Sequence, residues 1–503
     1  MFNQSDSIFM ASKTFNHETA NSLVIERQQQ LPDSSCFEPI STSQDTSDVI
    51  ICSRVRPVLS FDPDGQFNVI SCPHPATIVH EPKLHVNGVI TTIADTEFAF
   101  DYSFGHDIDN DAIFSLIGSP QIEFALNLNV SVILSYGQTG SGKTFTISGI
   151  QERAVDYIFS HPSCSSFEIS VSVIEIQGPK VTDLVSMKEA FIREDVFGNV
   201  NVRGADNIVV TSGGQLLDVL LKAFSHRKTV GTARNATSSR SHAVTRITFK
   251  NTLLPQAEVG ILYLIDLAGS ERSSDQLYHD QARVKEAQAI NKSLMTLKEC
   301  IRKRVLSFID ASTHHHVPYR SSKVTLLLKD VFELQSLRQC RTVFIANISP
   351  LASDVGHSLN TLRYAAPMRV VGQNTKRVVY TDPNDPSSWD NEKISRWVTT
   401  FSRGKVNPNV LCPNMSGKQL LRMPEADFLA KCISPDFSEK SAKLLYTKLW
   451  SKVIDIRSKR RKEVLKPKKI EQSDFDVELL QRMALEGDIE ARRNLEQLNM
   501  LKR

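Results

Sequence analysis

The sequence predicts an α/β domain built on a central sheet, followed by a small all-α domain. Three observations carry that expectation. Short apolar runs alternate with helical patterns from Val49 to about Val371. A turn-rich stretch, Thr381–Ser388, then interrupts the pattern, and all three tryptophans, Trp389, Trp397 and Trp450, lie beyond it. Alternating strand-like and helix-like runs argue for a layered α/β domain, whereas apolar residues at helical spacing argue for a bundle.

At 503 residues the chain is long enough for two or three domains. A hydrophobic share of 41% and a charged share of 23% are ordinary globular values. The net charge of +3 is too small to announce a nucleic-acid partner, so any basic surface must be local. The eight cysteines are scattered without a CxxC pair, which suits reduced thiols in the cytoplasm rather than a disulfide framework or a zinc site. Met1 is followed by polar residues, so no secretory leader is expected. No apolar run approaches the ~20 residues of a membrane helix.

In chain order, residues 1–48 are rich in Ser, Thr, Gln, Asn and Asp, and are expected to be mostly disordered with a short helix around Asn21–Gln30. Residues 49–371 form the α/β domain, with strands expected at Val130–Leu134, Ser170–Ile176, Ile261–Ile265 and Thr342–Ile348. Residues 372–388 read as a linker and 389–456 as the helical domain. In the latter, Ile394, Trp397, Val398 and Phe401 share one helical face, and Ala442, Leu445, Tyr446, Leu449 and Val453 another. A basic segment, 457–470, and a C-terminal helix, 471–503, complete the chain.

The chemistry concentrates in three motifs. Gly137-Gln138-Thr139-Gly140-Ser141-Gly142-Lys143-Thr144 follows an apolar strand and precedes a helix-compatible segment. Glycines let backbone N–H groups face phosphates, and a helix N-terminus adds a favourable dipole. Lys143 is expected to reach the β- and γ-phosphates, and the Thr144 hydroxyl to ligate Mg²⁺. The eight-residue pattern alone also occurs in ordinary loops. Asn235-Ala-Thr-Ser238-Ser239-Arg240-Ser241-His242 adds hydroxyls and a cation suited to γ-phosphate, metal and water. Leu264-Ile-Asp266-Leu-Ala-Gly269-Ser-Glu271 sets a carboxylate at a strand end, three residues before a glycine. Ser239 and Asp266 are candidates for the metal shell, and Gly269 N–H for sensing the γ-phosphate. Arg240 and Glu271 are candidates to pair behind the attacking water. Singly, these are a polar loop and a strand–turn; together they read as a phosphate-sensing switch pair.

In this order and at these separations the three motifs resemble the kinesin motor domain. The resemblance spans about Val49–Val371 and includes Arg54-Val-Arg56-Pro57, His316–Asp330 and Leu359–Ala365. It implies a P-loop NTPase with a central, mostly parallel sheet flanked by helices. It also implies ATP with Mg²⁺ as the nucleotide, the microtubule as partner, and a place on the cytoskeleton, with spindle and cilium both open. Arg54 and Pro57 would flank the adenine, and Phe145 would stack on it. The basic stretch Asp280–Lys303, extended by Arg304, Arg320, Lys323 and Lys329, would face acidic tubulin, although without the motor motifs it would read as a solvated helix face.

Lys298-Glu299-Cys300, with Arg302 beside it, resembles the kinesin-13 subfamily of internal motors that depolymerise microtubule ends. So does His80-Glu-Pro-Lys83-Leu84-His85-Val86-Asn87, which matches that subfamily's finger loop. The finger tip there reads Lys-Val-Asp and here His85-Val86-Asn87, and residues 1–48 lack a basic neck. No heptad array of three or four repeats follows the motor to pair two heads. An end-acting motor is therefore favoured over a directional one, with a lattice-bound adaptor as the non-enzymatic alternative.

Leu411–Leu429 lies between the two amphipathic helices, and the whole resembles a SAM or pointed-type domain. That implies protein association or self-assembly; a partnerless bundle fits equally. The basic run fits a tubulin tether, a nuclear signal or a solvated helix extension.

Overall fold

The computed structural model describes residues 17–31, 37, 49–84, 90–194, 200–230, 240–252, 259–270, 281–309, 316–332, 339–369, 383–421, 423 and 425–464. Its strands are β1 Val49–Val55, β2 Ile70–Ser71, β3 Ala76–Leu84, β4 Ile90–Ala99, β5 Tyr102–Phe104, β6 Val130–Tyr136 and β7 Phe167–Gln177. They continue with β8 Lys180–Asp183, β9 Glu189–Glu194, β10 Val200–Arg203, β11 Ile208–Val210, β12 His242–Asn251, β13 Gly260–Asp266 and β14 Cys340–Ile348. Among the described residues the main sheet runs β10-β9-β8-β7-β12-β13-β6-β14-β1-β5, with β11 beside β7. Strands β2, β3 and β4 make a second small sheet.

This sheet is mixed, which corrects the expectation of a mostly parallel one. Pairing from β13 through β6, β14 and β1 to β5 is parallel. From β13 outward through β12, β7, β8 and β9 to β10, every pair is antiparallel. Strands β6, β13 and β14 are buried at every position, and most of β7 is too. A run covered on both faces is continuously apolar, so hydrophobicity does not disclose direction. Chain length does: too few residues separate Asn251 from Gly260 for a parallel crossover.

Two apolar layers sandwich the sheet, and alternate residues of β6 feed them, Val132 and Leu134 to one and Ile133 to the other. The helices of the α/β part are α1 His17–Gln29, α2 Asn110–Ile113, α3 Ser119–Leu126, α4 Lys143–Ser160, α5 Gly213–Val230 and α6 Gln281–Ile309. Short helices α7 Lys323–Leu327 and α8 Lys329–Phe332 follow, then α9 Val355–Ala365. Helices α4 and α5 cover one layer with Ile150, Ile158, Leu216 and Leu220. Helix α6 covers the other with Leu294, Leu297 and Ile301.

Helix α1 is the short helix expected around Asn21–Gln30, and most of the other residues of 1–48 lie outside the described residues. It begins at His17, earlier than expected, because Ala20 and Val24, one turn apart, are fully buried in the main core. Gln28 Nε2 donates to Asn68 O at 3.2 Å, and Phe37 lies 4.9 Å from His74 and 5.4 Å from Phe104.

Beyond residue 383 the described chain is helical: α10 Asn391–Ser402, α11 Pro408–Leu411, α12 Gly417–Leu421, α13 Glu425–Cys432 and α14 Glu439–Val464. These helices enclose their own apolar core, including Trp389, Trp397, Phe428, Tyr446 and Leu449. Asp390 caps α10 by accepting from Lys393 N. The α14 face is buried as expected, but Phe401 of α10 is exposed, stacking on Trp397 at 4.7 Å under Lys448. The chain separates after Arg457 into two compact units, and of the second only the helix up to Val464 is described. The expected C-terminal helix, 471–503, lies outside the described residues.

Candidate nucleotide site and polymer-facing surface

Strand β6 ends at Tyr136 and α4 starts at Lys143, so residues 137–142 form a loop between a buried strand and a helix N-terminus. Gly137 cannot be replaced cheaply: its φ is +149°, and a Cβ would lie 2.1 Å from Asn347 O. Gly142 has φ +94° and stands as the N-cap of α4. Inside the loop, Lys143 Nζ and Ser141 Oγ donate to Gln138 O at 2.7 and 2.8 Å. Thr139 and Gly140 are exposed at its crest. The mouth therefore presents backbone N–H groups and one buried lysine, as an anion site requires.

The metal candidates are brought together in part. Thr144 Oγ1 donates to Asp266 Oδ2 at 2.8 Å, across the β6–β13 boundary. Asp266 Oδ1 is buried and has no hydrogen-bond partner among the described residues. Such an oxygen beside a hydroxyl at the foot of the phosphate loop fits a hard cation held largely through water. Ser239, Asn235, Ser238 and Glu271 lie outside the described residues, so the Arg240–Glu271 pair does too. Gly269 is buried, and its neighbour Ser270 donates N–H to Gly137 O at 3.0 Å, tying the two loops together.

Motif reading missed the residues that hold these groups in place. Arg227 of α5 is buried and donates to Asp266 Oδ2 at 2.7 Å and to Ser241 O at 3.0 Å. Its Nε also stands 3.8 Å from Glu175 of β7, which accepts from Ser241 Oγ. On the other side, Arg54 donates to Thr146 Oγ1 at 2.8 Å. Thr146 Oγ1 donates within 2.7 Å of Asn347 Oδ1, and Asn347 Nδ2 donates to Ser135 Oγ at 2.7 Å. Burial lowers Arg54 to about 10, opposed by the Asp109 carboxylate. Phe145 is 66% exposed, with the Arg54 guanidinium 5.4 Å from its ring centre, and Pro57 is exposed nearby in sequence. These arrangements leave an open aromatic face where a base could stack.

A kinesin motor domain model matches residues 54–371, most of the chain. The chain belongs to the kinesin motor family.

Curated relatives agree. The diatom spindle kinesin-1 of Cylindrotheca fusiformis is 34% identical over 68% of this chain and 53% of its own. The kinesin-like protein KIF24 of Homo sapiens is 37% identical over 63% of this chain and 23% of its own. The kinesin-like protein KIN-13B of Arabidopsis thaliana is 35% identical over 57% and 42%. This chain thus spans about half or less of the length of the curated relatives it matches. The solved structure titled as a fast kinesin, with implications for ATPase mechanism and interactions with microtubules, superposes with a TM-score of 0.55. It is 29% identical, over 66% of this chain and 94% of that one. The fold is therefore a P-loop motor ATPase domain with a mixed central sheet.

On this kinesin domain the basic residues divide sharply. Lys292, Glu299 and Arg302 of α6 are exposed, as is much of Lys83, which pairs with Glu81 at 2.7 Å. Lys298 is half-buried, 4.7 Å from the Tyr364 ring, and burial followed by the Arg302 charge lowers its pKa. Arg320 is 62% exposed and forks onto Glu194 at 2.9 Å, while Lys323 is half-buried. Cys300 is a correction: it is 0% exposed within the core, because helical rotation carries it about 100° past Glu299, and burial pushes its thiol up to about 12. Arg304 and Lys329 are corrected likewise; both are buried, Lys329 against Glu194 at 2.8 Å. His85, Val86 and Asn87 lie outside the described residues, between the paired strands β3 and β4. Among the described residues no helix is long and apolar enough to cross a membrane.

Proposed function

We propose that this chain hydrolyses ATP, is stimulated by microtubules, and acts at microtubule ends to shorten them or regulate their length. The observation that carries the ATPase part is the junction of exposed Thr144 with buried Asp266 and Arg227 at the foot of a glycine-rich loop. Lys143 and the N–H groups of residues 137–142 hold the phosphates. Thr144 and Asp266, with Ser239, would hold Mg²⁺, which would supply neutralisation of the phosphate charge. Arg54, Pro57 and Phe145 take the base. Asn235, Ser238, Arg240, Gly269 and Glu271 respond to the γ-phosphate. Gln138 keeps its carbonyl engaged by Lys143 and Ser141, which pre-shapes the loop.

The end-acting part draws on the likeness to KIN-13B and on the long β3–β4 hairpin, strands of nine and ten residues between which His85-Val86-Asn87 falls in the sequence. Lys83, Lys298, Glu299, Arg302, Arg320 and Lys323 would meet tubulin. Residues 49–371 would be the motor, 372–388 a linker, 389–456 a SAM-like association module, and 457–470 a basic segment, in a cytoplasmic protein on microtubules. Purified protein on stabilised microtubules tests the reading: ends should shorten with ATP. Gliding without shortening would favour a directional kinesin, and binding without turnover an adaptor.

A further inference from the structure

Between the loop that follows Asp266 and the long helix α6 stands one buried histidine. His242 opens β12 and is 2% exposed. Its Nδ1 accepts from Ala268 N at 3.0 Å, and Ala268 immediately precedes Gly269. Its Nε2 lies 2.8 Å from Ser293 Oγ on α6, and Ser293 in turn donates to Ile290 O at 2.7 Å. These partners fix the tautomer. The Ala268 N–H needs an acceptor, so Nδ1 carries no proton, and Nε2–H donates to the hydroxyl. The chain of donors thus runs one way, from the nucleotide-side backbone through the ring to the helix. Burial, reinforced by the Arg227 charge, lowers the imidazole to about 3, so the ring stays neutral and keeps this polarity.

Ser293 touches neither the phosphate loop nor the solvent-facing side of α6. It is buried, while its neighbours Lys292 and Met295 are exposed on the opposite side of the helix. Tyr364 grips the same helix from α9 by donating to Leu294 O. The segment around Ser293 is thereby held from two directions, one of them through a single ring.

We propose that His242 is a positioning residue that couples the backbone at Ala268–Gly269 to the polymer-facing helix α6 through Ser293. A shift of the Gly269 loop on loss of the γ-phosphate pulls on the ring and hence on the helix. Conversely, polymer bound to the outer side of α6 sets the place of the Ala268 N–H. The inference rests on the microtubule-stimulated ATPase reading above.

The test uses the purified full chain and stabilised microtubules, comparing Ser293→Ala, His242→Asn and the double variant with the parent. Ser293→Ala deletes one oxygen; His242→Asn keeps an acceptor for Ala268 N–H but cannot reach the helix. The expected result is a fall of about fivefold to tenfold in maximal polymer-stimulated turnover for each single variant. Basal turnover of Ser293→Ala should stay within about twofold of the parent, and the double variant should be no worse than the worse single, because both cut one link. Equal loss of basal and stimulated rates in Ser293→Ala would mean a merely structural role and would overturn the proposal. So would additive losses in the double variant. A parent that microtubules do not stimulate sinks the functional reading itself. A stimulated parent with an unaffected Ser293→Ala sinks the coupling alone.

Discussion

The nucleotide pocket and the polymer-facing surface both depend on charge, but they treat it in opposite ways. In the pocket, Arg54, Lys143, Arg227 and Asp266 are buried and hydrogen-bonded, Lys143 to the phosphate-loop carbonyl of Gln138 and the others to strand or helix residues. On the surface, Lys292 and Arg302 stand in solvent, and Glu299 pairs with Lys303 only at 3.5 Å. Coulomb interactions strengthen where water is excluded and are screened within about 10 Å where it is not. The pocket should therefore fail residue by residue, whereas the surface should fail gradually and with salt.

The sharpest way to break that contrast is to remove one buried cation. Arg227→Met should lower stability by about 3–5 kcal/mol, because Asp266 and Glu175 are left facing each other without a counter-charge. Arg320→Ala on the surface should cost less than about 1 kcal/mol. Equal urea midpoints for the two variants would erase the distinction. Next in size, Asp266→Asn should reduce ATP turnover about a hundredfold or more while the chain stays folded; a loss under tenfold would remove Asp266 from the metal shell.

A smaller effect comes from pH. His242 is lowered from its ordinary value to about 3, so the unfolded chain binds a proton that the folded one refuses. That contribution is intact above pH ~6.5 and erodes by about 1.4 kcal/mol per unit as pH falls toward 3. Urea unfolding at pH 7 and pH 5.5 should show a steeper loss for the parent than for His242→Asn. Smallest of all, Lys292→Ala or Arg302→Ala should each raise the microtubule concentration for half-maximal stimulation about twofold to threefold at low salt, an effect that fades above ~0.2 M.

The sequence made the pocket legible because its chemistry lies in contiguous runs. Lys143, Thr144 and Asp266 were named from spacing alone, and Thr144 and Asp266 stand in contact. Arg227 and Glu175 are not part of any motif, since they come from α5 and β7 outside the contiguous runs, and each resembles an ordinary charged residue until the fold joins it to Ser241. Cys300 was misread for a different reason. Lys298-Glu299-Cys300 is a unit in the sequence, but three successive helical residues fan over about 200° of the axis and do not share one face. Sheet direction was obscured by burial on both faces, and the short Asn251–Gly260 connection was the available signal. The expected helix Asn21–Gln30 stops short of the first turn of α1, because Ala20 and Val24, with Leu23 packed beside them, make a weak stripe among polar residues.

All of this rests on a pocket whose occupancy is felt at a distant surface. The most direct measurement is ATP turnover by the purified chain as stabilised microtubules are added at fixed ATP and Mg²⁺. A saturable rise of about tenfold or more is the expected result, since polymer on α6 would reset the loop beyond Asp266. Turnover that stays flat across the titration, or no turnover at all, would contradict the coupling of the two regions.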